Sequence, residues 1–186
     1  MGVRQNGIVT VRIRPAVAAE AAALHELAAL TFPLACPPST TEAAKLAFIA
    51  EHLSELAFVR YLDDPSREVI VAEADGLVGY AMAVRGEPGD ADAARAVQAR
   101  PTAELSKLYV HPDHHGAGVA SSLVDAVLAS AQRAGAASVW LGVNQHNARA
   151  NRFYAKNGFE SVGSKRFLVG DVYEEDWVRE RRLSAP

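Results

Sequence analysis

Apolar and polar residues alternate from Val9 to Arg14, with Val9, Val11 and Ile13 on one side, and Pro15 stops the run; this predicts a first strand. From Val17 to Leu30 the period lengthens. Leu24, Leu27 and Leu30 recur at helical spacing among alanines, and Thr31, Phe32 and Pro33 end the pattern. Pro33, Pro37 and Pro38 make an irregular connection, after which Thr40 or Thr41 caps a second helix carrying Leu46, Phe48, Ile49 and Leu53, and Ser54 caps a short third through Phe58 and Tyr61. Two β-rich runs, Glu68 to Ala74 and Leu77 to Val84, flank Asp75-Gly76, which predicts an antiparallel hairpin. Arg85 to Pro101 is rich in Gly, Pro, Asp and Ala, an excursion with room for a short helix around Asp92 to Ala99.

The second half follows a different plan. Ala103 to Val110 predicts a strand, Gly116 to Ala134 a helix with Val119, Leu123, Val127 and Ala131 on one face, and Ser138 to Val143 another strand; together they form a βαβ unit with parallel strands. Asn147 to Lys156 predicts a short helix closed by Asn157-Gly158, and Glu160 to Val169 and Tyr173 to Leu183 two last strands. The expectation is an α/β fold, a mixed sheet of about seven strands with a central βαβ unit and flanking helices, in one domain over residues 1–186 without internal repeats.

Composition narrows the partners. Asp plus Glu number 22 against 19 Lys plus Arg, in no long block of one sign, which argues against a nucleic-acid surface. Glu20, Glu26, Glu42 and Lys45 interrupt the alanine-rich stretches, so no apolar run is long enough for a membrane span. The first ten residues lack a secretory h-region, and the expected compartment is the cytoplasm. The lone Cys36 can neither close an internal disulfide nor join a zinc-binding Cys cluster, and no metal is expected; it suits a small buried hydrophobe, with a covalent acyl-Cys role as the alternative.

The most informative stretch is residues 104–124, ELSKLYVHPDHHGAGVASSLV, where a strand turns through Pro112 into Gly116, Ala117 and Gly118 and opens a helix. Two glycines let the turn present successive backbone N–H groups to a phosphate, and the helix dipole adds about half a positive charge. A P-loop is excluded because the Gly-Lys-Ser/Thr ending is missing. A dinucleotide fingerprint is excluded because Ser121 stands at the third glycine and Asn144 at the acidic position ending the next strand.

Here the sequence resembles the GNAT superfamily of N-acetyltransferases, whose signature is Arg/Gln-x-x-Gly-x-Gly/Ala after a strand ending in a Val-x-Pro-like turn. Val110, His111 and Pro112 supply the turn, and His115 to Ala120 the signature, with His115 where the family most often has Arg or Gln. Asn147, Ala150, Phe153 and Tyr154, followed by Gly158 and Phe159, match a second motif; together the two cover roughly residues 103–160. Alone, Tyr154 suits a packing aromatic and Asn147 an N-cap. The resemblance implies a mostly antiparallel GNAT-type sheet with acetyl-CoA between two splayed parallel strands. Pantetheine would lie along Leu108, Tyr109 and Val110, and the diphosphate on the amides of Gly116, Ala117, Gly118, Val119, Ala120 and Ser121, with His115, Asn147 and Tyr154 completing the site.

The implied reaction is transfer of acetyl to a primary amine by direct attack. An alkylamine has a pKa of about 10, so a base must accept a proton. Glu104 is the candidate and His111 its rival. In the family the leaving thiolate is served by the tyrosine matched by Tyr154, and the Val110 N–H would stabilise the oxyanion. Trp140 to Val143, Asn157 to Phe159 and the Gly170-Asp171 pair look like the PaiA-type polyamine acetyltransferases, for which Glu26, Glu42, Glu51 and Glu55 would supply an acidic pocket. Ribosomal-protein N-terminal acetyltransferases resemble the chain too, but they carry a catalytic Glu where Gly142 stands. The expected partner is therefore a small-molecule amine, with room for a homodimer. Protein N-terminal or lysine acetylation, and a non-catalytic acyl-CoA sensor, are the alternatives.

Overall fold

A computed structural model describes residues 10–169 and 172–184. Val9 and the Gly170-Asp171 pair lie outside them. Among the described residues seven strands form one sheet: β1 (Arg12–Pro15), β2 (Arg67–Ala74), β3 (Gly76–Arg85), β4 (Thr102–Val110), β5 (Ser138–Asn144), β6 (Glu160–Val169) and β7 (Val172–Arg182). Their order is β1-β2-β3-β4-β5-β7-β6, and β4 with β5 is the parallel pair in an otherwise antiparallel sheet. The helices are α1 (Ala21–Ala35), α2 (Glu42–His52), α3 (Glu55–Asp63), α4 (Ala91–Ala96), α5 (Val119–Arg133) and α6 (Ala148–Lys156).

Strand alternation builds a core on each face of the sheet. Ile70, Ala72, Ala81 and Ala83 meet Leu123, Val124 and Val127 of α5 on one side, with Phe153 and Tyr154 of α6 packed against the same cluster. Val69, Val71, Tyr80 and Met82 meet Leu24, Ala28 and Phe32 of α1 and Phe58 of α3 on the other. Leu123 is fully buried, and such a side chain contributes about 1.5–3 kcal/mol through its removal from water.

Four boundaries differ from the sequence expectation. Among the described residues β1 begins at Arg12, later than expected, and it ends on Pro15, which itself pairs with Ile70; β1 lies at the sheet's edge, where a missing N–H costs no ladder bond. α1 does not end at Pro33 but runs through it to Ala35, because buried Phe32 is held by stacking on Phe48, centroids 4.5 Å apart. The helix stops where Cys36 precedes Pro37 and turns extended, the conformation that a following proline favours. The hairpin tip is tighter than a two-residue turn: Ala74 pairs with Gly76, whose φ of 115° only glycine adopts readily. α5 begins at Val119 rather than Gly116, since Gly116 and Gly118 both sit at φ 82°, outside the helical region.

Two features of β4 position everything that follows. Its ladder to β5 runs only from Thr102↔Ser138 to Glu104↔Trp140, so beyond Glu104 the parallel strands diverge. Opposite β3, Met82 pairs with Lys107 and the next residue, Ala83, with Leu105, leaving Ser106 as a β-bulge. Ala103, Leu105, Leu108 and Val110 therefore pack toward α5, while Tyr109 joins the α1 side, where its ring lies 5.5 Å from that of Tyr80. The bulge moves Lys107 to that same face as Met82.

Candidate active site

Where β4 and β5 part, two clefts meet. One, of about 320 Å³, is lined by Glu104, Lys107, Gly142, Asn144, Lys165, Glu174 and Asp176, and walled by Phe32, Cys36 and Phe48. The other, of about 250 Å³, is lined by Val110, His115, Ala120, Arg149 and Phe153. Leu108, Tyr109, Asn147, Ala150 and Tyr154 border both, so an extended ligand in one can present its end to a molecule in the other.

Of the expected cofactor residues, Leu108, Tyr109, Val110, His115, Ala120, Asn147 and Tyr154 line the second cleft, while Gly116, Ala117, Gly118, Val119 and Ser121 belong to the turn and helix start beside it. The N–H of His111 donates to Val78 O on β3 at 2.8 Å; by strand alternation the polar groups of Val110 then face the gap. His115, standing where Arg or Gln is usual, places Nε2 2.9 Å from Val110 O, so its ring takes up a carbonyl at the mouth of the gap. Between His115 and Ala120 the turn is exposed, and the space beside the Cα of Gly116 and of Gly118 is open. Gly118 caps α5 without a side-chain hydrogen bond, and the first-turn N–H groups of Val119, Ala120 and Ser121 lack acceptors within the helix. The Val119 side chain is buried in the core, so only its backbone can serve a ligand.

Asn147 caps α6, its side-chain oxygen accepting from Ala150 N at 3.0 Å, and Tyr154 follows about two turns along the same helix. Tyr154 packs edge-on against Phe153 and Phe159. Burial holds its phenol above the ordinary value, so it is a protonated donor at neutral pH.

The first cleft holds the ionisable chemistry. Burial raises the Glu104 carboxyl, against the pull of Lys165 and Lys107. Burial lowers the Lys107 ammonium to about 8, while Glu104 draws it back and Arg67 adds to the fall. Asp176 on β7 is 7% exposed, and burial pushes it up to about 6 despite Lys165, with Glu174 adding to the rise. Strand alternation did not single out Asp176, because its place in the cleft depends on β7 returning beside β5. Gly142 explains the fit: a Cβ there would lie 3.2 Å from Asp176 Oδ2 and 2.6 Å from Lys165 Cε, so side chains of β6 and β7 fill the space a residue on β5 would occupy.

Several expectations are corrected. Glu26, Glu42, Glu51 and Glu55 are exposed and none lines the cleft, because the apolar faces of their helices turn inward. His111 lines neither cleft; its Nδ1 accepts from Asp113 N at 3.3 Å in the turn. Cys36 does line the first cleft, but burial raises its thiol and Sγ contacts Phe32 O at 3.4 Å, which disfavours the thiolate a covalent role requires. Among the described residues no group of His, Cys, Asp and Glu is arranged to hold a metal, and no helix is long and apolar enough to cross a membrane.

The fold is similar to that of the PaiA N-acetyltransferase from Thermoplasma acidophilum in complex with coenzyme A, at a TM-score of 0.74, 20% identity, and 94% of this chain and 99% of that one. It is similar as well to a ribosomal-protein alanine N-acetyltransferase from Escherichia coli, at 0.64 and 16% identity over 95% and 96%. An uncharacterized N-acetyltransferase of Mycobacterium tuberculosis is 46% identical over 161 residues, 86% of this chain and 96% of its own. The profile of the acetyltransferase (GNAT) family matches residues 22–159, through both motifs and the gap between them. With a family match over most of its length and a relative this similar along nearly the whole domain, the chain belongs to the GNAT acetyltransferases, enzymes that draw their acetyl group from acetyl-CoA.

Proposed function

We propose that the chain transfers acetyl from acetyl-CoA to a primary amine of a small molecule by direct attack, with no covalent acyl-enzyme. The observation that carries this is the meeting of the two clefts at Tyr154, with a carboxylate on the far side and a vacant strand edge on the near side. In this reading pantetheine pairs along Leu108, Tyr109 and Val110 as a substitute strand, and the diphosphate lies on the amides from Gly116 to Ser121. The PaiA complex with coenzyme A supports a CoA site on this fold.

The acceptor enters the first cleft as an ammonium. Glu104, raised by burial toward the working pH, takes one proton directly or through water, and the freed amine attacks the thioester carbon. The Val110 N–H, turned to the gap, receives the oxyanion in a hydrogen bond. As the C–S bond breaks, the second amine proton reaches the thiolate through the Tyr154 hydroxyl, giving an amide and CoA thiol. The presence of this donor favours an enzyme over a non-catalytic sensor.

A polyamine acceptor loses its support from the helices, whose carboxylates face outward. The test is steady-state CoA release against a panel of small amines, spermidine and peptide N-termini. Small amines are expected to lead, and a preference for peptides would overturn the acceptor class. Glu104→Gln should lower kcat/KM by about 10²–10⁴-fold. That loss should shrink as pH approaches the amine's own pKa, and an unchanged rate would remove Glu104 from the base role.

A further inference from the structure

The first cleft is not simply acidic. Glu104, Glu174 and Asp176 share it with Lys107 and Lys165, and of these Lys107 is the cation in an unusual setting. The Ser106 bulge brings it to the cleft side of β4, one residue before the Leu108 position proposed for pantetheine. Its Nζ lies 5.2 Å from the centroid of the Tyr61 ring, and among the described residues it makes neither an ion pair nor a hydrogen bond. Arg67 stands over the same ring at 5.0 Å but is occupied by Asp64, 2.9 Å away. The groups acting on Lys107 are thus Glu104 from its own strand, Arg67 from β2 and the Tyr61 ring from α3, with Lys165 of β6 lining the same cleft.

Lys107 is thus a half-buried ammonium without an ion pair of its own among the described residues, and the carboxylate that acts on it, Glu104, is the group the mechanism assigns to the amine. A polycation in this cleft would meet two ammonium groups among the three carboxylates, whereas a molecule carrying both charges would find a partner for each. We propose that the acceptor bears an anionic group, most simply a carboxylate, a few bonds from its reacting amine, and that Lys107 binds this group while Glu104 and Asp176 face the amine. This inference rests on the acetyl-transfer reading above and deepens it to a substrate class: amino acids and related zwitterions. A free amino acid is compatible with a cleft of about 320 Å³.

The experiment compares matched pairs that differ only in the anion: tyrosine with tyramine, phenylalanine with phenethylamine, leucine with isoamylamine, and phosphoethanolamine with ethanolamine. Binding is measured by calorimetry on CoA-saturated protein, and turnover by CoA release. In the wild type at least one pair should favour the anionic member by about ten- to a hundredfold, the effect of one charge-assisted contact. The phosphate pair distinguishes a phosphate from a carboxylate. Lys107→Met keeps the apolar stem and removes a buried charge, so the fold is retained, as CoA binding will report; the preference should fall to about twofold or less. The proposal is overturned if the decarboxylated or dephosphorylated members bind as tightly in the wild type, if no anionic amine binds, or if Lys107→Met keeps the preference. A Lys107-dependent preference in binding without CoA release from any amine would sustain the charge inference and count against acetyl transfer. Turnover led by spermidine would do the reverse.

Discussion

Replacing Asp176 by Asn should make the protein more stable while harming its cleft. The carboxyl is 7% exposed, and burial moves it from an ordinary 3.8 to about 6. A displacement of one pH unit corresponds to about 1.4 kcal/mol, so holding the charged form in the folded chain costs about 3 kcal/mol at neutral pH. The sign follows from proton counting: between the two values the folded state binds more protons than the unfolded one. Wild-type stability therefore falls as pH rises from about 4 to about 6, and this contribution is constant above that window. Asn has a similar shape and no charge to desolvate, and Lys165 keeps Glu104 as a counter-charge. At pH 8 the variant should melt about 6–12 °C higher, and the gap should close toward pH 4.5. Paired thermal melts across that range measure it. A variant that melts at or below the wild type at pH 8, or a gap independent of pH, would refute the account of Asp176 as a desolvated carboxylate.

Two further outcomes concern the proposed cosubstrate site. Gly118→Asp forces a side chain onto a residue at φ 82° and sets a negative charge at the N-terminus of α5, so acetyl-CoA affinity by calorimetry should fall about tenfold or more; unchanged affinity would remove the diphosphate from this turn. Tyr154→Phe keeps the ring packed against Phe153 and Phe159 but removes the donor, so kcat should fall with little change in acetyl-CoA affinity, and full turnover would end its acid role.

Features written in short stretches of chain were legible in the sequence. The hairpin at Asp75-Gly76, the caps at Thr41 and Ser54, and the glycine turn before α5 are local devices, and each is found within a residue or two of its expected place. What escaped depends on partners distant in sequence. The Ser106 bulge is a matter of register against β3, and a period of two along β4 would have put Lys107 on the wrong side. Asp176 faces the cleft because β7 inserts between β5 and β6, an order no periodicity states. The four helical glutamates were misassigned because composition gives a helix's charge but not the direction in which its polar face points.

An unpaired strand edge is a hazard in most proteins, since it offers its N–H and C=O groups to any passing chain and so invites aggregation. β4 beyond Glu104 has such an edge, yet it lies in the middle of the sheet rather than at its rim. Ala150, Phe153 and Tyr154 of α6 line the cleft along that edge, so a helix stands where a foreign strand would have to approach. The divergence that creates a binding template thus also acts as its guard, letting the fold keep a sticky edge without exposing it to other copies of itself.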